Sequence, residues 1–83
     1  MKFVAEIDVM PLKELLDPQG KAVKQALGQL ELSGVEDARI GKHIRLLLEA
    51  ADEASARSLV ETACKRLLAN PVMEQYTFTV KPA

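Results

Sequence analysis

The sequence predicts one α+β domain, residues 1–83, in which an antiparallel four-stranded sheet carries two helices on one face. Three observations predict it. Residues 2–10 alternate apolar and charged, the two-residue period of a half-buried strand. Two later stretches, near 18–30 and 53–69, repeat apolar residues at helical spacing. The segments after each helix return to strand-like alternation, so the order reads strand, helix, strand, strand, helix, strand.

In the first strand Phe3, Ala5, Ile7 and Val9 share one parity, and Lys2, Glu6 and Asp8 share the other. Pro11 ends the strand or places it at an edge, because it has no N–H for the ladder. Residues 12–20 connect it to a helix. Pro18 disfavours helical backbone at Asp17, which makes Asp17 the N-cap and Pro18 the first helical residue. The helix is expected to run to about Leu30 or Leu32, with Val23, Ala26, Leu27 and Leu30 as its apolar stripe. Gly20 and Gly28 weaken it by roughly 1 kcal/mol each relative to Ala, and small residues there permit close packing by the sheet or by a partner.

Ser33-Gly34 breaks the helix, and residues 35–49 read as two strands with Gly41 near the turn. Ile44, Leu46 and Leu48 form the apolar face of the second of these. A three-residue loop or a bulge aligns Ala38 and Ile40 with that face, and it keeps Arg39 and Lys42 outside the core. Gly41 is expected to supply the unusual backbone angles of the turn.

Asp52 or Ser55 caps the second helix, whose stripe is Ala56, Leu59, Val60, Ala63, Leu67 and Leu68. Lys65 and Arg66 suit its closing turns. Asn70, in left-handed conformation, and Pro71 stop it. A last strand follows, with Tyr76, Phe78 and Val80 on its apolar face. This order is the ferredoxin-like arrangement, and right-handed crossovers place strands one and three in the middle of the sheet. The opposite sheet face carries Val4, Met10 and Leu47 among charges.

Composition bounds the function. Lys plus Arg total 11 against 12 Asp plus Glu, a net charge of −1, without the basic footprint of a nucleic-acid binder. Residues 1–10 lack the continuous apolar segment of a signal peptide, and no apolar run reaches the roughly 20 residues that span a bilayer. One cysteine, Cys64, forms no internal disulfide, so the expected compartment is the cytoplasm. His43 is the sole histidine. A His43–Cys64 dyad is the one catalytic pair the composition offers, and a packed thiol beside a surface histidine is the plainer reading. No spacing suggests zinc, magnesium or a nucleotide loop. Arg39 and Lys42 flank Gly41, where they either meet a phosphate or an acidic partner or remain solvated turn charges.

Three segments in order carry a family resemblance: Leu16-Asp17-Pro18-Gln19-Gly20-Lys21-Ala22, Arg39-Ile40-Gly41-Lys42 after Gly34-Val35, and Leu67-Leu68-Ala69-Asn70-Pro71-Val72 followed by Glu74. Together they make the chain resemble the PurS family, the small non-catalytic subunit of phosphoribosylformylglycinamidine synthase. The resemblance implies a connector. In such a complex a large synthetase subunit uses ATP and magnesium, a glutaminase subunit releases ammonia, and PurS helps assemble them and pass ammonia. It implies no catalytic residue and no cofactor or metal held by this chain, with a homodimer or homotetramer as its own assembly state. It makes Asp17, Gln19, Gly20, Arg39, Gly41, Lys42, Asn70 and Pro71 interface or structural residues. Two other classes share the element order. A stand-alone ligand-binding module of the ACT type would hold its ligand near Asp17–Gly20. An RNA-recognition module needs exposed strand aromatics, which His43–Glu49 does not offer.

Overall fold

The computed structural model describes residues 1–13, 17–32 and 34–83. Its elements are β1 (Lys2–Pro11), α1 (Pro18–Gln29), β2 (Lys42–Glu49), α2 (Glu53–Ala63), a widened helical turn (Cys64–Leu68) and β3 (Glu74–Pro82). Ser33, placed at the helix break, and Leu16, at the start of the first motif, lie outside the described residues.

Among the described residues the sheet has three strands, in the order β2-β1-β3, with both neighbours antiparallel to β1. Phe3, Ala5, Ile7 and Val9 of β1 face Leu48, Leu46, Ile44 and Lys42 on one side and Pro82, Val80, Phe78 and Tyr76 on the other. The two-residue period therefore places three apolar rows on one face, and all four β1 residues are buried. Val4 and Leu47 pair on the opposite face, as the alternation predicts.

α2 covers the apolar face with Ala56 and Val60, and Arg57 lies over the Phe78 ring at 5.4 Å. Asp52 is its N-cap, accepting from the Ser55 N–H at 2.7 Å. The predicted helix to residue 69 changes pitch at its end. The Ala69 N–H donates to the Cys64 carbonyl, five residues back, at 3.0 Å. One extra residue in that turn rotates the following side chains. Cys64 and Ala69 enter the core, whereas Leu67 of the predicted stripe is 82% exposed.

Residues 35–41 form no regular strand, so the expected fourth strand is not seen among the described residues, and β2 is an edge strand rather than a central one. The expected turn at Gly41 is absent. None of the described glycines has a positive φ, and residues 35–41 run on into β2 without reversing. Asn70 is not left-handed either; the described non-glycine residue with positive φ is Glu31, at 63°, just past α1.

α1 also departs from expectation. It is not among the elements packed on the sheet or on α2, and Gly20 is its buried residue. Val23 is 39% exposed and Leu30 69%. With its flanking segments α1 forms an arm that leaves the sheet. The chain measures 51 × 26 × 14 Å, and its radius of gyration is 16.3 Å. A compact domain of this length has about 12 Å.

Candidate functional site

The residues singled out by the sequence converge on one end of the sheet, where β1 ends and β2 and β3 begin. Asp17 organises the arm side. Its Oδ1 accepts from the Gly20 N–H at 3.0 Å, the N-cap bond that Pro18 at the first helical position prepares. Its Oδ2 accepts from the Ile40 N–H at 2.9 Å, tying α1 to the segment that enters β2. These two bonds are the main reason its carboxyl titrates below the usual carboxylate range, and the Arg39 charge adds to them against the opposing effect of burial.

Arg39 faces the same junction. Its Nη2 donates to the carbonyls of Pro11 at 3.1 Å and Leu12 at 2.6 Å, and its Nη1 donates to Lys13 at 3.0 Å. Its Nε lies 3.9 Å from Asp17 Oδ2. The planar fork thus satisfies three consecutive carbonyls where β1 leaves the sheet. Arg39 was expected to stay available as a turn charge. It is instead engaged with backbone, and its side chain is 23% exposed.

The two motif glycines allow close approach. A Cβ on Gly41 would collide with the Val9 carbonyl oxygen and Met10 Sδ. One on Gly20 would collide with the Ala38 carbonyl and stand 2.6 Å from Asp17 Oδ2. Gly28 has open space around it, so packing within this chain does not explain it. Gln19 is exposed in the first turn of α1.

The third motif closes the other side. Asn70 Oδ1 accepts from the Val72 N–H at 3.0 Å, forming an Asx turn around exposed Pro71. The Asn70 N–H donates to Glu74 Oε1 at 2.8 Å. The Leu12 N–H donates to the Met73 carbonyl at 2.9 Å, joining this turn to the β1 exit. Lys42 Nζ lies 3.7 Å from Glu74 Oε2, bridging β2 to the turn, and its side chain is 58% exposed. Glu74 was missed as a site residue. Its signal was the four-residue spacing from Asn70, which lets a carboxylate reach back over a tight turn.

His43 and Cys64 are not brought together. His43 pairs with Asp8 in the strand register, on the face away from the helices, and its Nδ1 lies 2.6 Å from Asp8 Oδ1. Cys64 is buried under the opposite face, and burial, with Glu61 nearby, raises its thiol pKa. Among the described residues no cluster of three or more His, Cys, Asp or Glu side chains could hold a metal ion. No helix of the described residues is long and apolar enough to cross a membrane.

Residues 4–82 match the family model PurS, described as phosphoribosylformylglycinamidine (FGAM) synthase. The chain belongs to the PurS family. Among curated PurS relatives, the phosphoribosylformylglycinamidine synthase subunit PurS of Synechocystis sp. is 52% identical over 80% of this chain. That match spans 66% of the relative's own length, just under two thirds. The subunit of the same name from Bacillus subtilis is 45% identical over 84% of this chain and 83% of its own. Solved PurS structures share the fold. B. subtilis PurS superposes with a TM-score of 0.84 at 38% identity, covering 95% of this chain and 98% of that one. A chain in the structure of PurLQS from Thermotoga maritima superposes at 0.90 and 33% identity, covering 98% and 99%.

Proposed function

We propose that this chain is the small, non-catalytic PurS subunit of a cytoplasmic FGAM synthase, a ligase of purine biosynthesis. It connects a large synthetase subunit to a glutaminase subunit and assists the transfer of ammonia. The single observation that carries the reading is the likeness, at TM-score 0.90 over 98% of this chain, to a chain of PurLQS from T. maritima. The geometry supports a connector's part. Asp17, Arg39 and Glu74 are engaged in holding backbone at one end of the sheet, which presents Gln19, Lys42 and Pro71 on a braced surface. His43 and Cys64 lie on opposite faces of the sheet, so the one catalytic pair the composition offered is not assembled. ATP and magnesium belong to the large subunit in this reading, and this chain holds neither. The finer ferredoxin-like arrangement, with a fourth strand against the free edge of β2, belongs to the assembled state.

The test is reconstitution. The purified chain alone should hydrolyse neither glutamine nor ATP. The large and glutaminase subunits of the same source should form FGAM from glutamine only when this chain is added. Activity of the isolated chain, or full glutamine-dependent activity without it, would refute the reading.

A further inference from the structure

At the start of β2 one imidazole stands between two carboxylates. The strand register sets Asp8 directly opposite His43 and Glu6 opposite Arg45, on the sheet face away from the helices. His43 Nδ1 lies 2.6 Å from Asp8 Oδ1, and its Nε2 lies 3.7 Å from Glu6 Oε1. Both ring nitrogens therefore face an anion. A neutral imidazole has one N–H and one lone pair, so it serves one carboxylate and turns the lone pair to the other. Only the imidazolium suits both. The other strands do not replace that proton among the described residues. β3 places neutral Thr77 opposite Asp8 and neutral Thr79 opposite Glu6. On β2, Arg45 Nε lies 3.6 Å from Glu6 Oε1, so the arginine shares that carboxylate and leaves Asp8 to the histidine. Lys42 belongs to the other face, in the row of buried Val9, where α2 packs.

The position of the cluster gives the proton a consequence. Residues 39–43 carry the arm into the body, and each of them makes a tie there. Arg39 holds the carbonyls of Pro11, Leu12 and Lys13, and the Ile40 N–H donates to Asp17. Gly41 lies against the Val9 carbonyl, and Lys42 reaches Glu74. His43 is the last of the series and the sole histidine, the side chain whose charge ordinarily changes near neutral pH. We propose that His43, Glu6 and Asp8 form a proton-operated clasp: the imidazolium fastens the start of β2, and the arm that leads into it, to β1, and loss of the proton loosens that junction alone. The Asp8 hydrogen bond raises the pKa of the ring above its ordinary 6.5, against partial burial. The clasp is therefore complete below pH 6.5 and loosens as pH rises through the raised value. The ring is 54% exposed, so it exchanges its proton with solvent directly and makes a weak, reversible tie. The clasp goes beyond the synthase reading and is tested on this chain without the other subunits, so either can fail alone.

Amide hydrogen exchange of the full chain, followed by NMR from about pH 5.5 to 8.5, tests it. Each rate is expressed as protection over the unfolded rate at the same pH. In the unmodified chain, the amides of residues 42–45 that pair with β1 should lose protection by about two- to fivefold as the imidazole titrates, the scale of an exposed charge pair. The β1 amides that pair with β3 should keep theirs, because the clasp does not touch that side of the sheet. His43→Gln retains an N–H but never carries the charge, so its protection at residues 42–45 should be low and independent of pH. Asp8→Asn should reduce the fall. Both substitutions alter exposed side chains, so the sheet remains to be measured. Protection at residues 42–45 that stays constant while the unmodified ring titrates would overturn the clasp. So would an equal fall in the β1 amides paired with β3, which would mean that the whole sheet opens. A fall that persists in His43→Gln, or is undiminished in Asp8→Asn, would assign the pH dependence to other groups.

Discussion

Asp17 and Ile40 stand 23 residues apart in the chain and are joined by one hydrogen bond of 2.9 Å, from the Ile40 N–H to Asp17 Oδ2. The other oxygen of the same carboxylate caps α1. One side chain therefore fixes both the start of the arm helix and its return into β2. Hydrogen bonding to the charged form stabilises that form, so the native pKa lies below its ordinary value of 3.8. A carboxylate lowered on folding contributes stability that is present above its unfolded pKa and lost as pH falls through the native one. The wild type should exceed Asp17→Asn in melting temperature by a constant margin near neutral pH. That margin should shrink below pH 3.8 in paired thermal melts. A margin independent of pH down to the acid transition would remove the carboxylate charge from the explanation.

Arg39 is held by geometry more than by charge. Three carbonyl contacts from one planar group require the guanidinium fork. Arg39→Ala should lower stability by about 2 kcal/mol, within the range for hydrogen bonds to a charged group and below their sum, because the site is partly open to water. Arg39→Lys should recover little of it, since one ammonium cannot span the carbonyls of Pro11 to Lys13. Chemical denaturation of the three proteins decides this. A lysine variant as stable as the wild type would mean that charge alone suffices.

The strands, the caps and the core of the body were legible because each rests on local periodicity. The alternation from Phe3 to Val9 predicts the buried face residue by residue. Asp17-Pro18 predicts the helix start. The alternation of residues 35–49 was equally visible, but whether Gly41 reverses or continues the chain is decided by Arg39 and Asp17 holding residues 39–40 against the β1 exit. That contact crosses more than 20 residues of sequence and leaves no periodic trace. The stripe of α1 was read correctly as apolar and wrongly as buried in its own chain, since amphipathicity specifies a face and not the molecule that covers it. Asp17, Gly20, Arg39, Gly41, Lys42 and Asn70 were singled out as motif residues, while the contacts each makes, and the part of Glu74 in them, required the structure.

The glycines separate close approach from backbone freedom. Gly41 has no positive φ, so the penalty for replacing it comes from the space a Cβ needs beside the Val9 carbonyl. Gly41→Ala should already destabilise by about 1–3 kcal/mol, the usual cost of overpacking, and Gly41→Val by more. Gly20→Ala should behave likewise against the Ala38 carbonyl. Gly28→Ala should instead stabilise by up to about 1 kcal/mol, because it gains helix propensity in open space. Thermal melts of the set test the distinction. A neutral Gly41→Ala would show that β1 and residue 41 separate at no cost.

His43 reports on the outer sheet face. Its hydrogen bond to Asp8 raises its pKa above the ordinary 6.5, with further help from the Asp8 and Glu6 charges and against partial burial. Arg45 also pairs with Glu6, at 3.6 Å, and tempers that carboxylate's pull. A group raised on folding contributes stability that is complete below its unfolded pKa and lost as pH rises through the native value. NMR titration of the imidazole should give a value above 6.5 in the wild type, falling towards it in Asp8→Asn. An identical titration in both proteins would show that the 2.6 Å contact does not persist in solution.

Lys42 separates a structural role from an assembly role at the same end of the sheet. Its ammonium lies 3.7 Å from Glu74 on a side chain that is 58% exposed, so the pair contributes little to folding. Lys42→Ala should leave stability within about 0.5 kcal/mol, as surface changes usually do. Glu74 differs, because its other oxygen also accepts from the Asn70 N–H and its side chain is 23% exposed. Glu74→Ala should cost about 1 kcal/mol as that turn loses a hydrogen bond. If the braced end of the sheet meets another subunit, Lys42→Ala should lower glutamine-dependent FGAM formation in the reconstituted complex while its melting curve stays unchanged. Glu74→Ala should lower both. Full activity in a normally folded Lys42→Ala would return the residue to a solvated ion pair and place the contact elsewhere on the surface.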